Sequence, residues 1–189
     1  MNIKTDRKKS NPSIKITTRD ITTIAMMVAI IEACKLVLAG IPNVELTTFW
    51  IILFTLFFRN RILFVIPVFI LIEGALYGFG LWWVMYLYSW PLLALVTWKL
   101  RKIESAFSWS IVSGIFGLSF GALCSIPYFI IGTIGEGIQS GLASGFAWWI
   151  AGIPFDIIHG ISNFALMLVL YHPINNVLAK CKNMFEVNV

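Results

Sequence analysis

The stretch IPFDIIHGISNF at Ile153–Phe164 places three polar side chains inside an otherwise apolar run. Asp156, His159 and Asn163 follow one another at spacings of three and four, so a helix presents all three on one face. If that helix crosses a bilayer, an ionisable side chain on it must face protein or a water-filled cavity. The polar face therefore either lines a ligand cavity or joins helices through hydrogen bonds, which are worth about 1 kcal/mol each in membrane bundles.

The composition predicts a membrane protein that crosses the bilayer several times. Of the 189 residues, 59% are hydrophobic and 12% are charged, about half the charged share of a soluble domain. The mean hydropathy is +0.86. The pI near 9.2 does not indicate nucleic-acid binding, because the basic residues lie beside hydrophobic segments, where they orient the chain and meet anionic lipid.

Six apolar segments are predicted to be transmembrane helices, since about 20 helical residues cross ~30 Å of hydrocarbon. A polar segment at 1–20 without a signal-peptide pattern precedes them. They form a transmembrane domain at 21–171, and a polar tail at 172–189 follows. The segments are Ile21–Ala39, Leu46–Phe58, Ile62–Leu81, Trp82–Trp98, Phe107–Thr133 and Leu142–Tyr171. The predicted fold class is an all-α integral membrane bundle of six helices.

The basic residues predict the orientation of this bundle. Thirteen of the fourteen Lys and Arg residues lie in the first twenty residues, at Arg59–Arg61, at Lys99–Lys102 and in the tail. With six spans, these four places fall on the same side of the membrane, which the positive-inside rule makes the cytoplasmic side. Both termini are therefore predicted to be cytoplasmic.

Ionisable residues inside the predicted spans indicate a shared cavity. Counting about 1.5 Å per residue puts Glu32, Glu73 and Asp156 near mid-depth and Lys35 toward the outer half. Glu32 and Lys35 are three positions apart and can pair on one helix face. Because each buried charge alone would be penalised, we expect the four to face one cavity that opens outward. The candidate substrate-binding residues are Glu32, Lys35, Asn43, Glu45, Glu73, Tyr86, Trp90, Asp156, His159 and Asn163.

The aromatic residues of the fourth segment have two interpretations. Trp82 and Trp83 are typical of an interfacial belt. Tyr86 and Trp90, four positions apart and deeper in the predicted span, are candidates for the wall of a ligand pocket.

Two strips of small residues predict close helix packing, because small side chains let helices approach in lipid. They are Ala25, Ala29 and Ala33 in the first segment, here called the alanine strip, and Gly114, Gly117 and Gly121 in the fifth, here called the glycine strip. The alanine strip is predicted to dock a partner protein or to pack internally. Internal packing is favoured for the glycine strip.

The whole chain resembles the substrate-binding S component of energy-coupling factor (ECF) vitamin transporters. The alanine strip is similar to the AxxxA docking motif in the first helix of that family, and IPNVELTTFW at Ile41–Trp50 resembles the outer loop and second-helix start of many members. GFGLWW and IPFDIIHGISNF resemble a subgroup. The resemblance implies that the chain lies in a prokaryotic plasma membrane, binds a micronutrient at its outer half and tips in the membrane to release it inside.

The resemblance also implies partners. The first helix would dock onto a transmembrane coupling subunit driven by two ATPase subunits, and the absence of a Walker-A lysine motif fits ATP use by those subunits. The resemblance implies that this chain itself carries no catalytic residue and no cofactor. Its three Cys and two His show neither disulfide nor zinc spacing, so no disulfide framework or metal site is expected.

The sequence allows more than one ligand and more than one class of function. The polar candidate residues favour a hydrogen-bond-rich vitamin, such as cobalamin, pantothenate or a related compound. One alternative is an intramembrane enzyme in which Asp156 and His159 are the acid/base pair and Ser162 or Cys124 is the nucleophile. The other is a self-sufficient small transporter, which would normally show repeated halves.

Overall fold

The computed structural model describes residues 16–186, and the side chains of residues 16–181. Over that range the chain forms helices and turns and contains no strand, which confirms the all-α prediction. The helices are α1 (Thr18–Leu38), α2 (Thr47–Phe58), α3 (Ile62–Tyr77), α4 (Leu81–Lys99), α5 (Ala106–Cys124), α6 (Ile126–Glu136) and α7 (Ile138–Glu186). Most of the predicted N-terminal segment, and the last three residues of the predicted tail, lie outside the described residues.

Five helical stretches of the described chain are long and apolar enough to cross a membrane. They are Thr18–Leu38, Thr47–Tyr77, Leu81–Lys99, Ala106–Glu136 and Ile138–Cys181. Large apolar side chains such as Leu36, Leu63 and Val169 point away from the core of the bundle and are exposed. Contact of so much apolar surface with water is unfavourable, so the exterior of the bundle suits a lipid environment.

The second of these stretches reverses direction at a 3₁₀ turn, Arg59–Arg61, which separates α2 from α3. Glu45, just before α2, and Glu73, near the end of α3, line one cavity, so the two helices run antiparallel. Arg59 has a φ of 38°, a value that few non-glycine residues adopt. The reversal divides this stretch into the two helices that the sequence predicts there.

Ion pairs join α1 to α3 near both of their ends. Arg61 Nε donates to Asp20 Oδ1 at 2.8 Å where the two helices begin, and Lys35 Nζ lies 2.5 Å from Glu73 Oε2 where they approach their ends. Asp20 also forms a capping box with Thr17, in which each side chain accepts the other residue's backbone N–H. The start of α1 is therefore held by local and tertiary contacts.

The boundary between α3 and α4 is the glycine-rich turn Gly78–Gly80, slightly earlier than the predicted division after Leu81. Gly78 has a φ of +90°, a conformation that side-chain-bearing residues rarely adopt, and this ends α3. Trp83 Nε1 then donates to the carbonyl of Ile70 at 2.8 Å and fixes the start of α4 against α3.

The glycine strip packs against α7, which confirms the prediction of internal packing. A Cβ built on Gly117 would lie 2.9 Å from the backbone of Gly160, and one on Gly114 would lie 3.2 Å from the Phe164 side chain. Such distances leave no room for a larger residue at Gly117. Because α5 can approach α7 this closely, the polar face of α7 is brought against α5 and α2.

α6 and the beginning of α7 form a second close pair. A Cβ on Gly132 would lie 2.9 Å from Gly141 Cα, and Tyr128 stacks on Trp148 with ring centroids 3.9 Å apart. Pro127 is the one buried residue of α6. α7 continues past the predicted end of its segment at Tyr171 and reaches Glu186.

Candidate functional site

A cavity of about 480 Å³ lies where α1 and α3 end and where α2 and α4 begin. Its volume is within the range of small-molecule pockets. It is lined by Lys35, Leu38, Ala39, Ile41, Pro42, Asn43, Val44, Glu45, Glu73, Tyr77, Trp82, Tyr86, Phe120 and His159. We call it the polar cavity, because it collects four ionisable side chains from four parts of the chain.

A second cavity, of about 550 Å³, is larger than the polar cavity but has fewer polar and charged side chains in its lining. It lies between α3 and α4 and its lining is apolar except near Arg59 and Asn60. Specific small-molecule sites combine apolar walls with a few convergent polar groups. The polar cavity meets that description and is the candidate functional site.

The Lys35–Glu73 pair forms the charged centre of the polar cavity. Glu73 is only 2% exposed and Lys35 18% exposed, so neither charge is well hydrated. The Lys35 ammonium also lies 5.4 Å from the ring centroids of Phe69 and Tyr86, within range of a cation–π contact. The second carboxylate oxygen of Glu73, Oε1, is buried without a hydrogen-bond partner. A ligand donor at this position would satisfy it.

The partner of Lys35 lies on another helix, whereas the sequence suggested its neighbour Glu32. Glu32 lies beside Glu73 and interacts with both members of the pair, but it does not line the cavity. Its Oε1 is also buried without a hydrogen-bond partner. The carboxyl groups of Glu73 and Glu32 and the ammonium group of Lys35 therefore lie together at the wall of the polar cavity, with Glu32 outside the lining itself.

Glu45 and His159 form a second polar pair in the cavity wall. His159 Nε2 lies 3.4 Å from Glu45 Oε1, which is within ion-pair range, although the contact does not have hydrogen-bond geometry. Thr47 Oγ1 donates to the other carboxylate oxygen at 3.2 Å. His159 is 5% exposed, so it is largely shielded from water. Its Nε2 has no hydrogen-bond partner and therefore keeps its hydrogen-bonding capacity.

The surroundings of Glu45, which lies in the loop between α1 and α2, favour its ionised form. Burial by itself raises the pKa of this carboxyl, but His159, the Lys35 charge and the Thr47 hydroxyl together outweigh burial and lower the pKa below its ordinary value of 4.5. The loop therefore presents a carboxylate to the cavity at neutral pH.

The same loop is attached to α7 next to His159. Ser162 Oγ lies 3.1 Å from the carbonyl oxygen of Asn43 and 3.0 Å from that of His159, and it can donate to either. Asn43 has a φ of 58°, which asparagine tolerates better than most residues. The Ser162 hydroxyl is thus directed at main-chain carbonyls and holds the loop over the cavity.

Aromatic side chains form one wall of the cavity. Trp82 and Tyr86, four positions apart on α4, meet edge to face with centroids 5.4 Å apart, and both line the cavity. Phe120 of α5 completes this wall and contacts the His159 ring at 5.2 Å. Trp90 is fully buried behind Tyr86 and lies outside the cavity lining.

Sequence reasoning missed three aromatic lining residues. Trp82 was assigned to the interfacial belt, and Tyr77 and Phe120 were not singled out, although all three line the cavity. The spacing of Trp82 and Tyr86 was an available signal, since residues four apart share one face of a helix. Nothing in the local sequence distinguishes Phe120 from the other apolar residues of α5.

The polar face of α7 divides between two roles. His159 lines the cavity, whereas Asp156 and Asn163 contact neighbouring helices. Asp156 Oδ1 accepts the backbone N–H of Gly121 at 2.9 Å, and Asn163 Nδ2 donates to Thr48 Oγ1 at 3.2 Å. All three side chains are buried. The two interpretations of this stretch, cavity lining and hydrogen bonding between helices, each describe part of it.

The structure thus brings six of the ten candidate residues together in the cavity wall. These are Lys35, Asn43, Glu45, Glu73, Tyr86 and His159. Glu32, Trp90, Asp156 and Asn163 lie outside the lining. Among the described residues, no group of three or more His, Cys, Asp or Glu side chains is arranged to hold a metal ion.

The alanine strip lies away from the cavity on the exposed side of α1. Ala25, Ala29 and Ala33 are all exposed, whereas Met27 and Ile31 on the opposite side are buried. The strip therefore forms part of the outer surface of the chain. No family model, curated protein or solved structure matches the chain.

Proposed function

We propose that the protein is the substrate-binding S component of an ECF-type vitamin transporter. In this proposal it crosses the plasma membrane six times, with both termini in the cytoplasm, and binds a micronutrient at its outer end. The observation that carries the proposal is a cavity with charges of both signs at one end of an apolar bundle, opposite the end that carries the basic turns. Charges inside membrane bundles mark substrate or ion sites far more often than they serve packing alone.

The position of the cavity supports an outward-facing site. Arg61 lies at the start of α3 and Glu73 near its end, so the basic turn and the polar cavity are separated by most of the length of that helix. The positive-inside rule assigns the basic turn to the cytoplasm, which places the cavity toward the outside. In the proposal, the chain crosses the membrane once on each side of the reversal at Arg59–Arg61, which makes six crossings in all.

The lining indicates the chemistry of the ligand. Lys35 can pair with a ligand carboxylate, while Glu73 Oε1 and His159 Nε2 can pair with ligand hydroxyl or amide groups. Trp82 and Tyr86 offer an apolar surface to the rest of the molecule. A cavity of about 480 Å³ suits a vitamin of the size of pantothenate, whereas the cobalamin molecule is several-fold larger than pantothenate. We therefore place pantothenate and similar small acids ahead of cobalamin.

The exposed alanine strip supports docking to a coupling subunit. Strips of small residues allow a second helix to approach the backbone closely in lipid, where no hydrophobic effect drives association. In the proposal, ATP is hydrolysed on two separate ATPase subunits and the chain itself binds no cofactor. The strip and the polar cavity lie on different parts of the molecule, so docking and ligand binding can be tested separately.

The ligand is identified by thermal unfolding of the detergent-purified protein across a panel of vitamins. A ligand present at about 100 times its dissociation constant adds about 2.7 kcal/mol to the free energy of unfolding. We expect stabilisation by one small acidic or hydrogen-bond-rich vitamin and its loss in Glu73→Gln. Absence of stabilisation by every vitamin, together with turnover of lipid or peptide by the isolated chain, would favour the enzyme hypothesis instead.

Docking is tested in the same preparation. Ala29→Trp should abolish co-purification with the coupling and ATPase subunits and ATP-dependent uptake, while ligand stabilisation of the isolated chain stays unchanged. Val169→Trp, a bulky change at an exposed position on α7, is the matched control and should leave both properties intact. Substrate movement by the isolated chain in liposomes without ATP would support the self-sufficient transporter and contradict the proposal.

A further inference from the structure

A cavity larger than the polar cavity is the apolar groove between α3 and α4. Its walls include Leu63, Pro67, Leu87, Pro91 and Leu95. Both prolines interrupt the hydrogen-bonding of their helices, since each lacks a backbone N–H. Several of the leucines are exposed. In a chain whose exterior suits lipid, a groove of this kind faces hydrocarbon, and we call it the α3–α4 groove.

One end of the α3–α4 groove is polar and basic. Arg59 and Asn60, in the turn between α2 and α3, line that end. There the groove shares Thr55, Arg59 and Trp98 with a neighbouring cleft of about 370 Å³. The groove and the cleft are therefore adjacent and meet at these three residues, with the groove apolar along its length and the cleft polar.

The cleft holds a second guanidinium group. Arg101 lines it, and its guanidinium carbon lies 6.0 Å from the ring centroid of Trp98, within range of a cation–π contact. The one acidic lining residue is Glu104, so the cleft carries a net positive charge. Arg59 has a φ of 38°, and unfavourable backbone conformations of this kind cluster at binding sites.

We propose that the α3–α4 groove and the cleft together bind one anionic phospholipid. An acyl chain lies between the two prolines, and the phosphate of the headgroup contacts Arg59 and Arg101. Guanidinium groups bind phosphate oxygens through paired, charge-assisted hydrogen bonds, and the walls of the groove match hydrocarbon. The site is independent of the polar cavity, which opens at the other end of α3 and α4.

The neighbouring arginine is excluded from this role by its own contact. Arg61 is two residues from Arg59 but donates to Asp20 at 2.8 Å. The turn therefore divides its two arginines between a helix-to-helix ion pair and the proposed headgroup site.

The proposal is tested with the full chain in detergent, by quenching of tryptophan fluorescence with lipids that carry brominated acyl chains. Phosphatidylglycerol is compared with phosphatidylcholine, which has a similar size and no net charge. We expect saturable quenching with a clear preference for phosphatidylglycerol. Arg59→Gln/Arg101→Gln should reduce that preference by about five-fold for each arginine removed, because a basic side chain near anionic lipid contributes ~1 kcal/mol.

A matched control and a positional reporter complete the test. Lys180→Gln removes one positive charge at an exposed position outside the lining of either cavity. It should keep the lipid preference within about two-fold, against about five-fold for one arginine, because salt weakens charges that do not contact the headgroup. Trp98→Phe should remove part of the saturable quenching, since Trp98 lines the groove.

Four results would overturn the proposal. Equal quenching by the two lipids would mean that the groove makes only ordinary lipid contact. A loss of lipid preference in the lysine variant that equals, per charge removed, the loss in the arginine variant would mean that the preference comes from diffuse surface charge. Saturable quenching that is unchanged both in Trp98→Phe and in Trp83→Phe, the other tryptophan that lines the groove, would place the lipid elsewhere. Absence of saturable quenching by phosphatidylglycerol would instead favour a partner helix covering the groove.

Discussion

The two ion pairs that join α1 to α3 use the same chemistry in opposite surroundings. Lys35–Glu73 lies beside the polar cavity, with Glu73 at 2% exposure, whereas Arg61–Asp20 lies at the basic end with exposures of 33% and 23%. The first is accompanied by buried carboxylate oxygens that have no hydrogen-bond partner, and the second by a complete capping box. At the basic end of the α1–α3 pair the polar groups have hydrogen-bond partners within the protein, whereas at the cavity end carboxylate oxygens of Glu32 and Glu73 have none.

This difference indicates which end serves function. A buried ion pair loses hydration that its own attraction hardly recovers, and hydrophobic replacement is often as stable. Packing of α1 against α3 does not by itself require the carboxylates of Glu32 and Glu73 around Lys35. At the other end, Asp20 and Arg61 stay partly hydrated and fasten the starts of the two helices. The difference supports the proposal that the cavity end takes the ligand, while the basic end joins the starts of the two helices.

The largest expected effect is at the buried pair. Glu73→Gln removes the close contact of Lys35 in a largely dehydrated position and leaves Glu32 as the neighbouring carboxyl group. It should lower the free energy of unfolding on the order of 3 kcal/mol, measured by chemical or thermal unfolding in detergent. Lys35→Met/Glu73→Met removes both charges and should recover most of that loss while ligand binding remains absent. If the double variant is as unstable as the single one, the pair contributes through shape and not through charge.

An intermediate effect is expected at Glu45 and depends on pH. The folded state lowers the pKa of this carboxyl below its ordinary value of 4.5, so the stabilisation that it contributes is present above that pH and is lost as the pH falls through the lower, folded-state pKa. Glu45→Gln should lower the free energy of unfolding by about 1–2 kcal/mol at neutral pH. The difference between parent and variant should shrink on acidification, and a difference independent of pH would contradict the ionised form of Glu45.

The smallest effect is expected at the partly hydrated pair. Arg61→Gln removes the contact with Asp20 but leaves the capping box of α1 in place, so unfolding should become easier by less than about 1 kcal/mol. Raising the salt concentration should reduce the difference further, because ions screen exposed pairs. A loss as large as that of Glu73→Gln would abolish the distinction between the two ends.

Much of the architecture was predictable from local pattern. Apolar segments of helical length mark the helices of the bundle, except that the fifth, Phe107–Thr133, is divided at Ser125 into α5 and α6. Arg59–Arg61 and Gly78–Gly80 mark two of the turns, because charged and glycine-rich stretches interrupt apolar helices. The spacing of Asp156, His159 and Asn163 likewise predicts a single buried face on α7, and all three side chains are buried. Counting residues along the helices predicted Glu73 near mid-depth and Lys35 toward the outer half, close enough to share a cavity, and the two side chains form an ion pair.

The sequence by itself determined the helical class, the apolar exterior and the position of each ionisable residue along its helix, since these depend on composition and on the helical repeat. Only the tertiary structure decided which side chains meet. The rotation of each helix about its axis depends on contacts such as Gly117 against Gly160. These contacts pair Lys35 with Glu73 on another helix and turn Trp82 toward the cavity. They also direct Asp156 to the Gly121 N–H, because close packing, unlike helical periodicity, is a property of two segments at once.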